Sequence, residues 1–318
     1  MVSELSVENA AEWLRRHELP CDGARFTELG GGISNKVILA EAPGFRAVLK
    51  QSLGQLRTRQ GWFSDRSRIF REAAAMRWNA SAGRVPRILF EDPETFTIAM
   101  EAAPESAEMW KTQLFRGEAS TGTARAAGLA LGSIISMSWN NAEAEAAFGD
   151  QTVFDQLRID PYYRFTAKQR PEAADYIHNL IARSAARRVS LVHGDFSPKN
   201  LLVDDDSVLV IDWEVTHYGD PAFDIGFLLN HLLMKTIALP QHAAKIAGLA
   251  DTFLDALSPE AAGLIPAAFE HLPALLLARV DGKSPAEYFD AAMRERAASL
   301  ALNLMRKPAS SFGEVLAR

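Results

Sequence analysis

The stretch that most constrains this chain is Leu191–Glu214, which reads LVHGDFSPKNLLVDDDSVLVIDWE. Two β-like runs follow Asp195 and are joined by an acidic turn, a pattern that predicts a β-hairpin. A hairpin folds its two ends back beside each other, so we expect Asn200 and Asp212, which flank it, to meet next to Asp195. The two runs are Leu201–Val203 and Val208–Ile211, and the turn is Asp204-Asp205-Asp206-Ser207.

Oxygen-bearing side chains that converge on one rim suit a hard divalent cation. Mg²⁺ prefers a few carboxylate and amide oxygens together with phosphate oxygens of a substrate. We therefore expect Asn200 and Asp212 to bind Mg²⁺, with Glu214 completing the site directly or through water. Asp195 precedes the hairpin and is left to accept a proton from a hydroxyl. A base beside a magnesium site is the arrangement that phosphoryl transfer needs, because the protein there mostly positions groups and neutralises charge.

The pattern HGD-x4-N, followed by IDWE and then by GDPAFDIGFLLNHL, resembles the aminoglycoside phosphotransferase and choline kinase superfamily. These proteins are relatives of the protein kinases and phosphorylate small molecules. The Asp-x-Glu form of the second motif is most similar to choline/ethanolamine kinases and methylthioribose kinases. An ordinary acidic hairpin is the alternative interpretation, but several fixed residues at fixed spacing favour the family.

The resemblance implies an α+β, bilobal, protein-kinase-like fold. A small antiparallel-sheet N-lobe would occupy residues 1–103, and a larger, mostly helical C-lobe would occupy residues 104–318. In such a fold Asp195 is the catalytic residue. His193 and Asp224 have structural roles, with Asp224 holding the backbone of the catalytic loop.

A glycine run lies between two predicted strands near the N-terminus. Phe26–Leu29 and Lys36–Ala42 read as the strands, and the run between them can approach phosphates closely and offer backbone N–H groups. A plain turn is the alternative. As candidates for nucleotide binding we take Gly31, Gly32, Ser34 and Asn35.

Lys50 lies in the middle of the next predicted strand, Arg46–Ser52, in the context AVLK. The family places its phosphate-binding lysine on this strand, so the resemblance assigns that role to Lys50 rather than that of an exposed edge lysine. Glu72, on the following predicted helix, resembles the glutamate that pairs with this lysine. A surface charge, or a pair with Arg68 or Arg71, is the alternative for Glu72.

The N-terminal β-rich section ends at Glu101-Ala102-Ala103-Pro104. In the family, backbone groups of this linker bind the adenine edge, which makes Met100, Glu101 and Ala103 candidates. C-terminal helices build the acceptor site in these folds, so Arg279 and Lys283 are candidate substrate contacts. Surface charges are an equally good interpretation of both.

Composition narrows the setting. The 318 residues are 48% hydrophobic and 23% charged, as in a soluble globular protein, and the formal charge of −6 argues against nucleic acid as the main partner. Cys21 is the only cysteine, and the start MVSELSVENAAEWL carries early acids and no apolar signal region. We predict a cytoplasmic protein without a membrane partner. The apolar stretch Ala222–Leu239 is predicted to be a buried helix. The oligomeric state is left open.

The sequence thus predicts an ATP- and Mg²⁺-dependent kinase that acts on a hydroxyl of a small polar metabolite or antibiotic. A protein kinase is disfavoured because only eleven residues separate Asp212 from Asp224, which leaves no room for an activation segment. A non-catalytic nucleotide-binding pseudokinase is the alternative. Methylthioribose kinases carry Ser at the position of Asn200 and an Arg-Arg pair in their C-terminal part. Arg279 has no arginine neighbour, which weakens that choice of acceptor.

Overall fold

Residues 4–30, 34–55 and 64–318 are described by a computed structural model. They form two units, Met1–Glu105 with Asp212–Val215, and Ser106–Ile211 with Thr216–Arg318. The first unit therefore includes the short segment that follows the predicted hairpin. The predicted boundary between residues 103 and 104 stays a prediction.

An antiparallel sheet dominates the first unit. In the described residues it has five strands in the order β1-β2-β3-β5-β4. The strands of the sheet are β1 (Arg25–Glu28), β2 (Asn35–Ala42), β3 (Phe45–Ser52), β4 (Ile88–Asp92) and β5 (Thr97–Glu101). The first unit also contains the helices α1 (Ala10–Arg16) and α2 (Arg68–Trp78). Apolar residues on one face of the sheet, such as Ile38, Ala40 and Leu49, pack with Trp13 and Leu14 of α1 in a buried core. The three strands predicted in this region, Phe26–Leu29, Lys36–Ala42 and Arg46–Ser52, are confirmed, with ends shifted by at most one residue.

The second unit is mostly helical. Its helices are α3 (Trp110–Arg116), α4 (Thr121–Ser138), α5 (Ala142–Phe148), α6 (Thr152–Phe154), α7 (Phe165–Gln169), α8 (Pro171–Ala186), α9 (Ala222–Ala238), α10 (Ala243–Asp255), α11 (Pro259–Ala262), α12 (Ile265–Asp281), α13 (Ala291–Arg306) and α14 (Phe312–Leu316). A wider helical segment, Asp155–Arg164, joins α6 to α7 and contains Pro161. The prediction of a mostly helical C-terminal part is confirmed.

Short strands flank the loop that carries Asp195 and Asn200 in the second unit. These strands are β6 (Glu108–Met109), β7 (Ser190–Val192), β8 (Leu201–Asp204), β9 (Ser207–Val210) and β10 (His217–Gly219). The predicted hairpin is confirmed: β8 and β9 pair with Leu201 opposite Val210 and Asp204 opposite Ser207. Asp205, in the turn, has a φ of 51°, a left-handed conformation that Asp tolerates better than most residues.

The apolar stretch that begins at Ala222 forms α9, whose residues are almost all buried in the second unit, as predicted. No single helix of the described ranges is both long and apolar enough to cross a membrane. The pair Ala222–Ala238 and Pro240–Asp255, which meets at a bend of 117°, passes that test of length and composition together. Helix α12 continues to Asp281, and Leu275–Ala278 within it are buried.

Candidate active site

Lys50 is buried in the first unit between two carboxylates. It lies on β3, an inner strand of the sheet, and is 6% exposed. Its Nζ lies 2.7 Å from Glu72 Oε2 on α2 and 2.6 Å from Asp212 Oδ1. Lys50 is thus neither exposed nor on an edge strand, and Arg68 pairs with Glu214. The predicted pairing of Lys50 with Glu72 is present.

The charges around Lys50 shift one another's pKa values. Burial lowers the pKa of Lys50, but the carboxylates of Asp212, Glu72 and Glu214 outweigh it and raise that pKa well above its ordinary value. Burial raises the pKa of Glu72, and Asp212 and Glu214 add to the rise while Lys50 opposes it. Lys50 is thus held in its charged form, which a lysine needs in order to bind an anionic group.

Asp212 has a backbone conformation that is uncommon for a residue with a side chain. Its φ is 67°, in the left-handed region. Residues held there cost of order 1 kcal/mol and cluster at functional sites. The conformation positions the Asp212 carboxylate against Lys50 immediately after the apolar run of β9, where the sequence motif predicts a metal ligand.

Glu214 is hydrogen-bonded through both carboxylate oxygens. Ser34 Oγ donates to Oε1 at 2.7 Å, and Asn35 Nδ2 and Arg68 Nε donate to Oε2 at 2.8 Å and 3.0 Å. Arg68 is 1% exposed and also donates through Nη2 to the Ser34 carbonyl. Glu214 therefore anchors the C-terminal end of the glycine run to α2. Gly31 and Gly32, the other residues predicted to bind nucleotide here, lie outside the described residues.

The loop that carries Asp195 is held by a buried carboxylate in the second unit. Asp224, in the first turn of α9, accepts the His193 N–H at 2.6 Å and the Gly194 N–H at 2.9 Å. Gly194 has a φ of 77°, which a residue with a side chain adopts only with strain. The His193 ring lies 3.1 Å from the Ile211 carbonyl through Nε2 and accepts the Asp195 N–H through Nδ1 at 3.2 Å. The predicted bracing contacts of Asp224 and His193 are present.

Asp195 itself is 3% exposed and surrounded by donors. Its Oδ2 accepts from Asn200 Nδ2 at 2.8 Å and lies 3.1 Å from Arg158 Nη2 and 2.7 Å from Lys199 Nζ. Two cations beside one carboxylate favour its ionised form. A hydroxyl that approaches it therefore meets a carboxylate ready to accept a hydrogen bond.

The amide of Asn200 is oriented by these bonds. Its Nδ2 also donates to the Asp195 carbonyl at 3.0 Å, so Oδ1 is the atom that remains to bind a cation. Its own carbonyl accepts the Ile211 N–H at 3.0 Å, and Asp212 is the next residue of the chain. In the described part of the chain no group of three or more His, Cys, Asp or Glu side chains could hold a metal alone. An amide oxygen and few carboxylates fit Mg²⁺ that is bound together with nucleotide phosphates.

The residues predicted to contact adenine, Met100, Glu101 and Ala103, form backbone contacts within the first unit. The Glu101 N–H donates to the Arg87 carbonyl, and the Ala103 carbonyl accepts from Arg46 Nη1 at 2.7 Å. Met100 is opposite Val48 in the sheet. Their role in adenine binding stays a prediction.

The two predicted substrate contacts differ in their surroundings. Lys283 Nζ pairs with Asp160 Oδ2 at 2.8 Å. Arg279 Nη1 donates to the Tyr162 hydroxyl at 3.3 Å and to Ser284 Oγ at 2.9 Å, and both partners are neutral. The role of each stays a prediction at this point.

Sequence reasoning missed several cations of the second unit. Lys199 pairs with Asp195 within the same loop, and its spacing gives no signal because the i,i+4 rule holds only for helices. Lys235 interrupts the apolar run of α9, and a charge in such a run is itself a signal of function. Arg158 gives no comparable signal, because it is far from Asp195 in sequence and only folding brings the two together.

A profile of the phosphotransferase enzyme family matches residues 25–264. Methylthioribose kinase of Escherichia coli strain S88 is 28% identical over 247 residues, which cover 68% of this chain and 59% of that enzyme. The chain thus spans less than two-thirds of the length of that relative.

Solved structures share the fold. A choline/ethanolamine kinase family protein from Mesorhizobium loti has a TM-score of 0.51 at 19% identity, with 92% of this chain and 91% of that chain covered. Amicoumacin kinase, in complex with AMP-PNP, Ca²⁺ and its ligand, has a TM-score of 0.59 at 12% identity, with 91% of both chains covered. At these identities the likeness concerns the fold alone. It confirms the predicted bilobal, protein-kinase-like fold class.

Proposed function

Because the chain belongs to the phosphotransferase enzyme family, as its motif predicted, we propose that it is an ATP- and Mg²⁺-dependent kinase for a small molecule. The group transferred is the γ-phosphoryl group, and the acceptor is a hydroxyl. The observation that carries the proposal is Lys50, buried and held between Glu72 and Asp212. A lysine that is buried and held as a cation on a sheet is a candidate for binding an anion such as a phosphate.

In the proposed reaction Lys50 binds phosphate oxygens of ATP, and Ser34 and Asn35 fix the end of the glycine run through Glu214. Asn200 Oδ1 and the Asp212 carboxylate would hold Mg²⁺, with Glu214 completing the site directly or through water. When bound, this ion neutralises charge on the phosphate oxygens. The backbone of Met100, Glu101 and Ala103 would contact the adenine.

Asp195 performs the step at the acceptor. It accepts a hydrogen bond from the acceptor hydroxyl, and it takes the proton as the hydroxyl oxygen forms a bond to the γ-phosphorus and the bond to ADP breaks. The loop is fixed for this task by Asp224, and the carboxylate is fixed by Asn200, Arg158 and Lys199. A positioned base of this kind contributes about 10²–10⁴-fold in rate.

The test compares wild type with Asp195→Ala and with Asp251→Ala, an exposed acid on α10. ATP consumption is followed over a panel of hydroxyl-bearing metabolites and antibiotics, and MgATP binding is measured by calorimetry. We expect turnover to fall about 10²-fold or more in Asp195→Ala while MgATP affinity is retained, and Asp251→Ala to behave as wild type. Near-normal turnover in Asp195→Ala would refute its role. MgATP binding by wild type without any phosphorylated product would favour a pseudokinase.

A further inference from the structure

The second unit contains cationic side chains without acidic partners near the Asp195 loop. We call Lys111, Lys235 and Arg279 the cationic cluster. Throughout the described ranges, no carboxylate forms an ion pair with any of the three. Other cations of this unit are paired, for example Lys283 with Asp160 and Arg170 with Asp281. The cluster is therefore a local excess of positive charge.

Among the three residues of the cluster, Lys235 destabilises the folded protein most, because it is the most deeply buried. It is 1% exposed on α9, and its Nζ donates to the Tyr288 hydroxyl at 2.9 Å. The same Nζ lies 4.9 Å from the Phe115 ring centroid and 4.7 Å from that of Tyr288. Burial, followed by the charges of Lys111 and Arg279, lowers the pKa of Lys235 to about 7. A buried ammonium whose hydrogen-bond partner is neutral costs stability, so its presence calls for a ligand that compensates the charge.

Arg279 presents hydrogen-bond donors that the protein leaves unused. Its two hydrogen bonds both come from Nη1, and Nε is buried without a partner in the described structure. Nε and Nη2 together form the edge of a guanidinium that binds carboxylate or phosphate oxygens in a bidentate manner. A buried donor that lacks a partner is uncommon and is explained when a ligand supplies the acceptor.

One member of the cluster, Arg279, is connected to Asp195 through the ring of Tyr162. Arg158, which pairs with Asp195, lies 5.7 Å from the Tyr162 ring centroid, and Arg279 lies 5.9 Å from the same centroid. The positive surroundings also act on nearby groups. Burial raises the pKa of Tyr162, but Arg279 and Arg158 outweigh it and lower that pKa below its usual value. The ion pair of Asp195 with Arg158 and the guanidinium of Arg279 thus lie beside the same aromatic ring within the second unit.

We propose that the acceptor carries an anionic group, a carboxylate or a phosphate, which binds Arg279 and Lys235 while its hydroxyl faces Asp195. This proposal rests on the kinase activity proposed above. Asp195 is already balanced by Arg158 and Lys199, so the site offers no free negative charge for an ammonium. A quaternary ammonium or polyamine acceptor would be repelled by the cluster. A neutral sugar would leave the buried charge of Lys235 uncompensated.

The first arm of the test measures anion binding without turnover. Thermal stability is followed as inorganic phosphate or acetate is added at constant ionic strength, in wild type, Lys235→Met, Arg279→Gln and two controls. The controls are Lys307→Met and Arg125→Gln, which change exposed residues of the same unit. We expect the anion-dependent rise in Tm to be lost in Lys235→Met and Arg279→Gln and kept in the controls. An equal rise in all five proteins would overturn the proposal. The anion that acts identifies the group, phosphate or carboxylate.

The second arm measures turnover over matched hydroxyl compounds that are anionic, neutral or cationic. We expect the best acceptors to be anionic, and we expect Lys235→Met or Arg279→Gln to raise the acceptor KM by about 30-fold or more while the ATP KM changes less than about two-fold. A best acceptor that is neutral or cationic overturns the inference and leaves the kinase assignment intact. Anion binding at the cluster without turnover of any class refutes the kinase assignment and retains the anion site.

Discussion

Replacing Lys235 by methionine should make the protein more stable and its proposed acceptor site weaker. In the folded state the pKa of Lys235 is about 7, against an ordinary value of 10.5. Each pKa unit corresponds to about 1.4 kcal/mol, which gives a full penalty of about 5 kcal/mol at low pH. At pH 7 about half of the folded protein has a neutral Lys235, so the penalty there is about 4 kcal/mol relative to an unperturbed lysine. Methionine has similar length and no charge. It also removes the hydrogen bond to Tyr288, worth about 1 kcal/mol. We expect a net gain of about 3 kcal/mol at pH 7.

The gain in stability from Lys235→Met should depend on pH. The folded pKa of Lys235 lies below the unfolded one, so between about pH 7 and 10.5 the unfolded chain binds more protons than the folded protein. Lysine therefore destabilises the fold fully below pH 7, and the penalty shrinks as the pH rises toward 10.5. The difference between Lys235→Met and wild type should fall by about 2 kcal/mol between pH 7 and pH 9.

Urea unfolding of both proteins at several pH values, with Lys307→Met as the exposed control, measures these differences. The control should stay within about 0.5 kcal/mol of wild type. A Lys235→Met protein that is less stable than wild type, or a stability difference that does not change with pH, would refute the assignment of Lys235 as a buried, uncompensated cation. A gain in stability with a loss of acceptor affinity is what a residue retained for function should show.

Two further predictions concern the other buried charges. Lys50→Met leaves Glu72 and Asp212 without their cation and should lower the free energy of unfolding in urea by about 3–5 kcal/mol. Lys36→Met breaks a partly exposed pair with Glu28 on the same sheet and should lower it by less than about 1 kcal/mol. Equal losses in the two variants would contradict the burial argument. Asp224→Ala removes the acceptor of two loop N–H groups and should cost about 3 kcal/mol, with faster hydrogen exchange at the amides of His193 and Gly194; unchanged exchange there would show that another group holds the loop.

Local sequence patterns were sufficient for the elements and for most of the candidate residues. Alternation of apolar residues predicted the strands of the sheet, and the turn Asp204–Ser207 between apolar runs predicted β8 and β9. These features depend on neighbours within a few residues, which a sequence displays directly. Where helix α12 ends was not predicted, because the charged residues from Arg279 onward look like a turn and packing of α12 keeps the helix intact.

The ion-pair partners of the buried charged residues were harder to predict from the sequence. Lys50 with Glu72 was predicted only because the chain resembles a family with that pair. Arg68, which was an open alternative for Glu72, instead binds Glu214, 146 residues away. A sequence gives the charges but not which of them will be desolvated together, and the energy of an ion pair depends mainly on that.

By itself, the sequence determined the hairpin, the order of strands and helices, and the residues Asp195, Asn200 and Asp212 that carry the proposed chemistry. Only the tertiary structure decided that Lys235 is buried without a carboxylate, that Arg279 keeps an unused donor edge, and that Arg158 pairs with Asp195 beside the same tyrosine ring as Arg279. Local patterns follow from backbone geometry and the spacing of apolar residues. The charge balance of a site is a sum over side chains from distant segments, and it exists only after these segments have packed together.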